Sequence, residues 1–125
     1  MHELSIARAV VSQVVQEAEM REMNVVSLVV LRVGRLSGIQ AGALKFGFEF
    51  AVMGTPLEGS QLEIEEVDVT LFCGMCEEIR PLVGPNDFRC QQCGTPSANI
   101  ASGRELEIRS FVGSSESTLE VAKGT

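Results

Sequence analysis

The chain has no tryptophan and no tyrosine, and its only histidine stands at position 2. Six phenylalanines are the whole aromatic complement, so a core has to rest on Val, Leu and Ile. Hydrophobic residues still make up 45% of the 125 residues, which is enough apolar material for one domain with a real core. Basic residues are few: ten Lys and Arg against seventeen Asp and Glu leave a formal charge of −7. That balance argues against a nucleic-acid partner, because neutralising phosphates requires a surplus of cations. It equally disfavours an anionic membrane surface. No segment approaches the roughly 18 consecutive apolar residues of a membrane span. The first residues carry neither the basic nor the apolar region of a secretory signal, so a cytoplasmic location is expected.

The parts of an enzyme are missing as well. There is no second histidine, no evident Ser or Cys nucleophile beside a base, and the glycines of GRLSGIQAG have the wrong spacing for a phosphate loop. The sequence therefore reads as a protein that is not an enzyme.

What is present begins with a helix. Over residues 5–22, Ala7, Val10, Val11, Val14, Val15 and Ala18 follow one helical stripe, and Ser5 suits the N-cap. Residues 25–33 are β-branched and apolar, and predict a strand. GRLSG (34–38) is a turn. Residues 41–53 predict a shorter helix with Leu44, Phe48, Ala51 and Val52 on one face, although Gly47 weakens it by roughly 1 kcal/mol relative to Ala.

QLEIEEVDVTLF (61–72) alternates but changes phase, Leu62 and Ile64 sharing one parity and Val67, Val69 and Leu71 the other. A one-residue slip of this kind predicts a β-bulge near Glu65–Glu66; two short strands meeting at a kink would produce the same pattern. The alternating acids of 63–68 suit an exposed face. RELEIRSFV (104–112) predicts a last strand, and the polar tail 113–125 is expected to fray. The fold expected is α+β: a small sheet of about three strands with two helices packed on one face, and an inserted module. The domains expected are 1–70 with 100–112, the module at 71–99, and a flexible tail at 113–125. Monomer and homodimer both remain open, since the loop at 54–60 permits exchange between copies.

The module at 73–99 breaks every periodicity and holds all four cysteines, as Cys73-Gly-Met-Cys76, thirteen residues, then Cys90-Gln-Gln-Cys93. Each CxxC turn aims two sulfurs at one point, and two turns facing each other complete a tetrahedron. Gly74 and Gly94 free the backbone at the two knuckles, where N–H groups can donate to thiolates. Four protein ligands leave no open position, so a structural zinc is the first reading. Redox pairs and a four-thiolate iron site use the same residues.

At the other end, MHE offers a free amine, the His2 amide nitrogen and the imidazole Nδ1. These close a five- and a six-membered chelate ring, and Glu3 can add a fourth donor. Nitrogen donors in a plane suit Ni(II) or Cu(II) better than zinc. Taken alone, a histidine at position 2 is more often just an exposed polar residue.

MHELSIARAVV at the start, LRVGRLSGI, the LEI strand before the two CxxC pairs and GRELEIRSF after them together resemble the HypA family of nickel-incorporation proteins for [NiFe]-hydrogenase maturation. The resemblance covers residues 1–112. It implies a metallochaperone with a nickel domain and a zinc domain. Met1, His2 and Glu3 match the family's nickel-binding terminus, and Cys73, Cys76, Cys90 and Cys93 its zinc ligands. It also implies a HypB-type GTPase partner and delivery to the hydrogenase large subunit, some members serving urease as well. One departure is local: relatives often place a carboxylate where this chain has Gln40. The alternative is a zinc-ribbon interaction scaffold that delivers no nickel.

Overall fold

The structure, a computed structural model, describes residues 2–84, 86–115 and 119–123. Its elements run α1 (His2–Met20), β1 (Val25–Gly34), α2 (Ala41–Ala51), β2 (Gln61–Val67), β3 (Thr70–Cys73), β4 (Glu78–Gly84), β5 (Asp87–Cys90), β6 (Ile100–Ser102), β7 (Leu106–Ser114) and β8 (Leu119–Lys123). They form two four-stranded sheets, ordered β2-β1-β7-β8 and β5-β4-β3-β6. The fold is α+β with two helices, but the expected single sheet of about three strands is corrected to these two. Contacts gather the chain into two compact units. One holds Met1–Arg32, Ile39–Glu65 and Glu107–Thr125; the other holds Val33–Gly38 and Glu66–Leu106, reaching beyond the 71–99 expected.

In the first unit α1 buries the stripe its sequence spells: Ala7, Val10, Val11, Val14 and Ala18 are buried. The helix starts at His2, so Ser5 is not its N-cap but lies within it. The reason is tertiary, since the extra first turn packs against α2. At its far end the helix closes as a Schellman turn: Met23 N–H donates to Ala18 O at 2.9 Å and Glu22 N–H to Glu19 O at 3.1 Å. Glu22 takes the left-handed φ of 56° that this turn requires. α2 buries Leu44, Gly47 and Phe48. β1 buries Val26, Val29, Val30 and Leu31, residues of both parities.

The phase change in 61–72 is not a bulge at Glu65–Glu66. β2 runs through Val67, and β3 starts at Thr70 in the other sheet. The two parities serve two cores: Leu62 is buried in the first unit and Leu71 in the second. Glu65 of β2 is ion-paired at the surface. It accepts from Arg109 at 2.9 Å and lies 3.4 Å from Arg32, which also reaches Glu107 at 3.1 Å.

The tail is not wholly irregular either. β8 pairs antiparallel with β7, Val112 opposite Val121 and Ser110 opposite Lys123. Strand pairing here does not depend on an apolar run, which is why a polar sequence gave no sign of it.

Candidate metal centre

The second unit is built around sulfur. β3 and β4 form a hairpin, Cys73 opposite Glu78 and Leu71 opposite Arg80, and the turn joining them carries Cys76. β4 pairs in turn with β5, Leu82 opposite Cys90, and β5 delivers Cys90 into a second turn carrying Cys93. The strands thus bring two CxxC turns, remote in sequence, to one end of the sheet. Ser97 Oγ donates to Phe72 O at 2.6 Å and Ser97 N–H to Phe88 O at 2.9 Å, fastening the chain that leaves the second turn. The core beneath is small: Leu71, Cys73 and Cys90 are buried, with Cys76, Leu82 and Phe88 packed on them. Two of its three buried members are cysteines, so apolar burial alone gives this unit little to stand on.

All four Sγ atoms lie within 4.8 Å of one another. Cys73 and Cys93 are 3.6 Å apart at sulfur, Cys76 and Cys90 3.8 Å. A Zn–S bond of about 2.3 Å sets the sulfurs of a tetrahedron about 3.8 Å apart. The donor set therefore fits a thiophilic tetrahedral ion, and no bond joins these cysteines to each other.

The two turns repeat one hydrogen-bond pattern. Cys76 N–H donates to Cys73 Sγ at 3.4 Å, and Cys93 N–H to Cys90 Sγ at 3.5 Å. Glu77 N–H donates to Cys73 O at 2.7 Å, and Gly94 N–H to Cys90 O at 2.9 Å. Both turns need a left-handed residue after their second cysteine, and Glu77 (φ 56°) and Gly94 (φ 77°) supply it. The knuckle role expected of Gly74 thus falls to Glu77, because the strained position follows the pair rather than splitting it.

The thiols divide by their surroundings. Thr95, whose Oγ1 lies 3.1 Å from Cys93 Sγ, holds the Cys93 thiol down to about 6 through its side chain and then its backbone N–H. The Cys93 N–H lowers Cys90 as well. Cys76 is pushed up to about 12, first by hydrogen bonding with Cys93 and then by burial. Crowded sulfurs cannot all ionise without a cation among them, which is the electrostatic case for a metal.

The structure brings together the four cysteines that the sequence singled out, and adds Thr95 and Glu77, which it did not. A hydroxyl two residues past a CxxC was a legible sign of the first; nothing in composition marks the second.

At the N-terminus, Met1 and the His2 side chain lie outside the described residues. Glu3 stands in the first turn of α1, and its Oε2 accepts from the Gln40 N–H at 3.4 Å. Gln40 is the N-cap of α2 and makes no side-chain cap, so residue 40 meets the first turn of α1 through its backbone. Beside it lies an apolar groove of about 360 Å³ lined by Glu3, Leu4, Ala43, Phe46, Gly47 and Phe50. Phe46 and Phe50 form its wall, edge to face at 5.1 Å, and are 63% and 55% exposed.

Residues 1–113 match the family model described as hydrogenase/urease nickel incorporation, metallochaperone, hypA. The hydrogenase maturation factor HypA of Chloroflexus aggregans is 46% identical over 108 residues, 86% of this chain and 95% of the relative. That of Chlorobaculum tepidum is 40% identical over 111 residues, 89% of this chain and 97% of the relative. In fold, the solution structure of the Ni metallochaperone HypA from Helicobacter pylori superposes with a TM-score of 0.66 at 19% identity, covering 91% of this chain and 98% of that one. Another solution structure of a HypA protein gives a TM-score of 0.69 at 20% identity over 89% of this chain and 94% of that one.

Proposed function

Because the chain belongs to the HypA family of nickel-incorporation metallochaperones, we propose that it binds Ni(II) at Met1, His2 and Glu3 and passes it on during [NiFe]-hydrogenase maturation. Nickel is cargo here. It arrives on nitrogen donors and leaves by ligand exchange, in the cytoplasm, with a HypB-type GTPase as partner and the hydrogenase large subunit as recipient; urease accessory proteins are a second destination. No bond of a substrate is made or broken in this role.

The observation that carries the reading is that α1 begins at His2. The first N–H groups of a helix have no intrahelical acceptor. The His2 and Glu3 amides can therefore lose their protons to a metal without breaking a helical hydrogen bond. The positive end of the helix dipole also favours the anionic nitrogens that result.

In the same reading Cys73, Cys76, Cys90 and Cys93 hold a structural zinc. The ion joins the two CxxC turns and supplies the stability that the small core beneath them cannot. Thr95 and the Cys76 and Cys93 N–H groups donate to the thiolates and fix their orientation.

The test is a nickel titration of untagged, zinc-loaded protein beside the same protein with one residue added before Met1. The native chain is expected to bind one equivalent, and the extended chain to lose it because its amine is displaced. His2→Ala should lose it too. Affinity should fall as pH drops through the histidine range near about 6.5, since imidazole and amide donors must shed protons to bind. Equal binding by native and extended chains would refute the terminal site and leave a zinc-stabilised interaction module.

A further inference from the structure

α2 contains two glycines, Gly42 and Gly47, in a helix whose charged residues are Lys45 and Glu49. They meet different surroundings. A Cβ at Gly42 would touch only the Gln40 side chain, at 3.8 Å. A Cβ at Gly47 would stand 3.2 Å from Leu4 Cα and 3.6 Å from both Leu4 N and Glu3 O. Gly47 is buried, and it is the backbone of the first turn of α1 that buries it. Residues 40 and 47 are two helical turns apart and so share a face of α2. From that face Gln40 offers its N–H to the Glu3 carboxylate and Gly47 offers bare backbone to Glu3 and Leu4.

We infer that Gly47 is a positioning residue for nickel: its missing side chain lets α2 seat the first turn of α1, and so hold the N-terminal donors in place. This rests on the reading that residues 1–3 bind the metal. A helix terminus is ordinarily its most frayed part, and a metal site needs its donors held before the ion arrives. Gly47 and the Gln40 N–H meet that need together, from one face of α2. An alanine at 47 asks the turn to yield by a few tenths of an ångström. A leucine adds three more carbons beyond that contact and presses harder on the turn. Leucine is also a better helix former than glycine, so it strengthens α2 itself.

The experiment compares Gly47→Leu with Gly42→Leu, as full-length, untagged, zinc-loaded protein, by calorimetric nickel titration and the ligand-field spectrum of the complex. Gly47→Leu should weaken nickel binding at least about fivefold and shift the spectrum, while Gly42→Leu stays within about twofold of native. A smaller loss at position 47, or an equal loss at 42, overturns the inference. Should Gly47→Leu not fold, Gln40→Pro is read by the same threshold. It deletes the N–H that Glu3 accepts, at a φ of −89° that lies near proline's range. His2→Ala, run in parallel, separates the two ideas. If it binds nickel like the native chain, the terminal site is refuted. If it loses nickel while Gly47→Leu does not, the terminal site stands and the seat on α2 is refuted.

Discussion

Glu77 and Gly94 occupy matching places in two turns that are unrelated in sequence position: each follows the second cysteine of its pair, each has a positive φ, and each N–H closes on the carbonyl of the first cysteine. One turn has the residue suited to that backbone and the other does not. The left-handed conformation costs an L-residue roughly 1–2 kcal/mol, and glycine's extra freedom in the unfolded chain returns roughly 0.5–1 kcal/mol of that. Glu77→Gly should therefore stabilise the zinc-loaded protein by about 0.5–1 kcal/mol. Gly94→Ala should do the reverse. Denaturant midpoints of the two variants check both signs, and a destabilising Glu77→Gly would refute the equivalence.

The thiols of the metal-free protein should react in a fixed order. Cys93 is exposed and held down to about 6, so it is thiolate at neutral pH; Cys76 is pushed up to about 12 and stays protonated. Limited alkylation at pH 7, read by mass spectrometry, should mark Cys93 first and Cys76 last. Thr95→Val removes the hydroxyl beside Cys93 and should slow its labelling. The linkage signs are opposite. The Cys93 contribution to metal-free stability is complete above the ordinary thiol value of 9.0 and is lost as pH falls through about 6. The Cys76 contribution is complete below 9.0 and is lost as pH rises through about 12.

Removing the metal should melt one unit and spare the helices. The core of the cysteine-bearing unit is Leu71, Cys73 and Cys90 with three half-buried neighbours, whereas α1 and α2 belong to the other unit. Zinc sites of this kind contribute on the order of 10–16 kcal/mol of binding free energy. A strong chelator, or any one cysteine changed to alanine, should abolish metal retention, collapse the β3–β6 amide resonances and leave the helical signal at 222 nm nearly intact. Loss of helix in step with metal would show that the two units do not fold separately.

Glu65 bridges two arginines, Arg109 at 2.9 Å and Arg32 at 3.4 Å. All three are partly exposed, so solvent screens the network. Glu65→Gln should cost about 0.5–1 kcal/mol at low salt and almost nothing near 1 M salt. A cost independent of salt would mean that the side chain packs rather than pairs.

How much of this was legible beforehand differs from element to element. The stripe of α1 was plain because Ala7, Val10, Val11, Val14 and Ala18 repeat with the period of a helix that has one buried face. The four cysteines stood out because the spacing within a CxxC pair is a local property of the chain. The break after Val67 was visible only as a change of parity, because a chain passing from one core to another and a chain slipping register leave the same trace. The strands β5 and β6 were hidden by their brevity, and β4 by flanking turns that serve sulfur rather than apolar burial. Gly47 read as a weakness of α2; its use is tertiary, and no pattern within a single helix reveals what packs against it.

The chain leaves β1 through Gly34 and Arg35, two successive residues. Gly34 N–H donates to Glu105 O at 2.7 Å and Arg35 N–H to Val67 O at 3.0 Å. The residue where the cysteine-bearing segment departs and the residue where it returns are thus stitched to two successive residues at the end of β1, although 37 positions separate them in sequence. A segment whose two ends are pinned side by side is a cassette. Its two ends are set by backbone bonds of four residues that carry none of the cysteines.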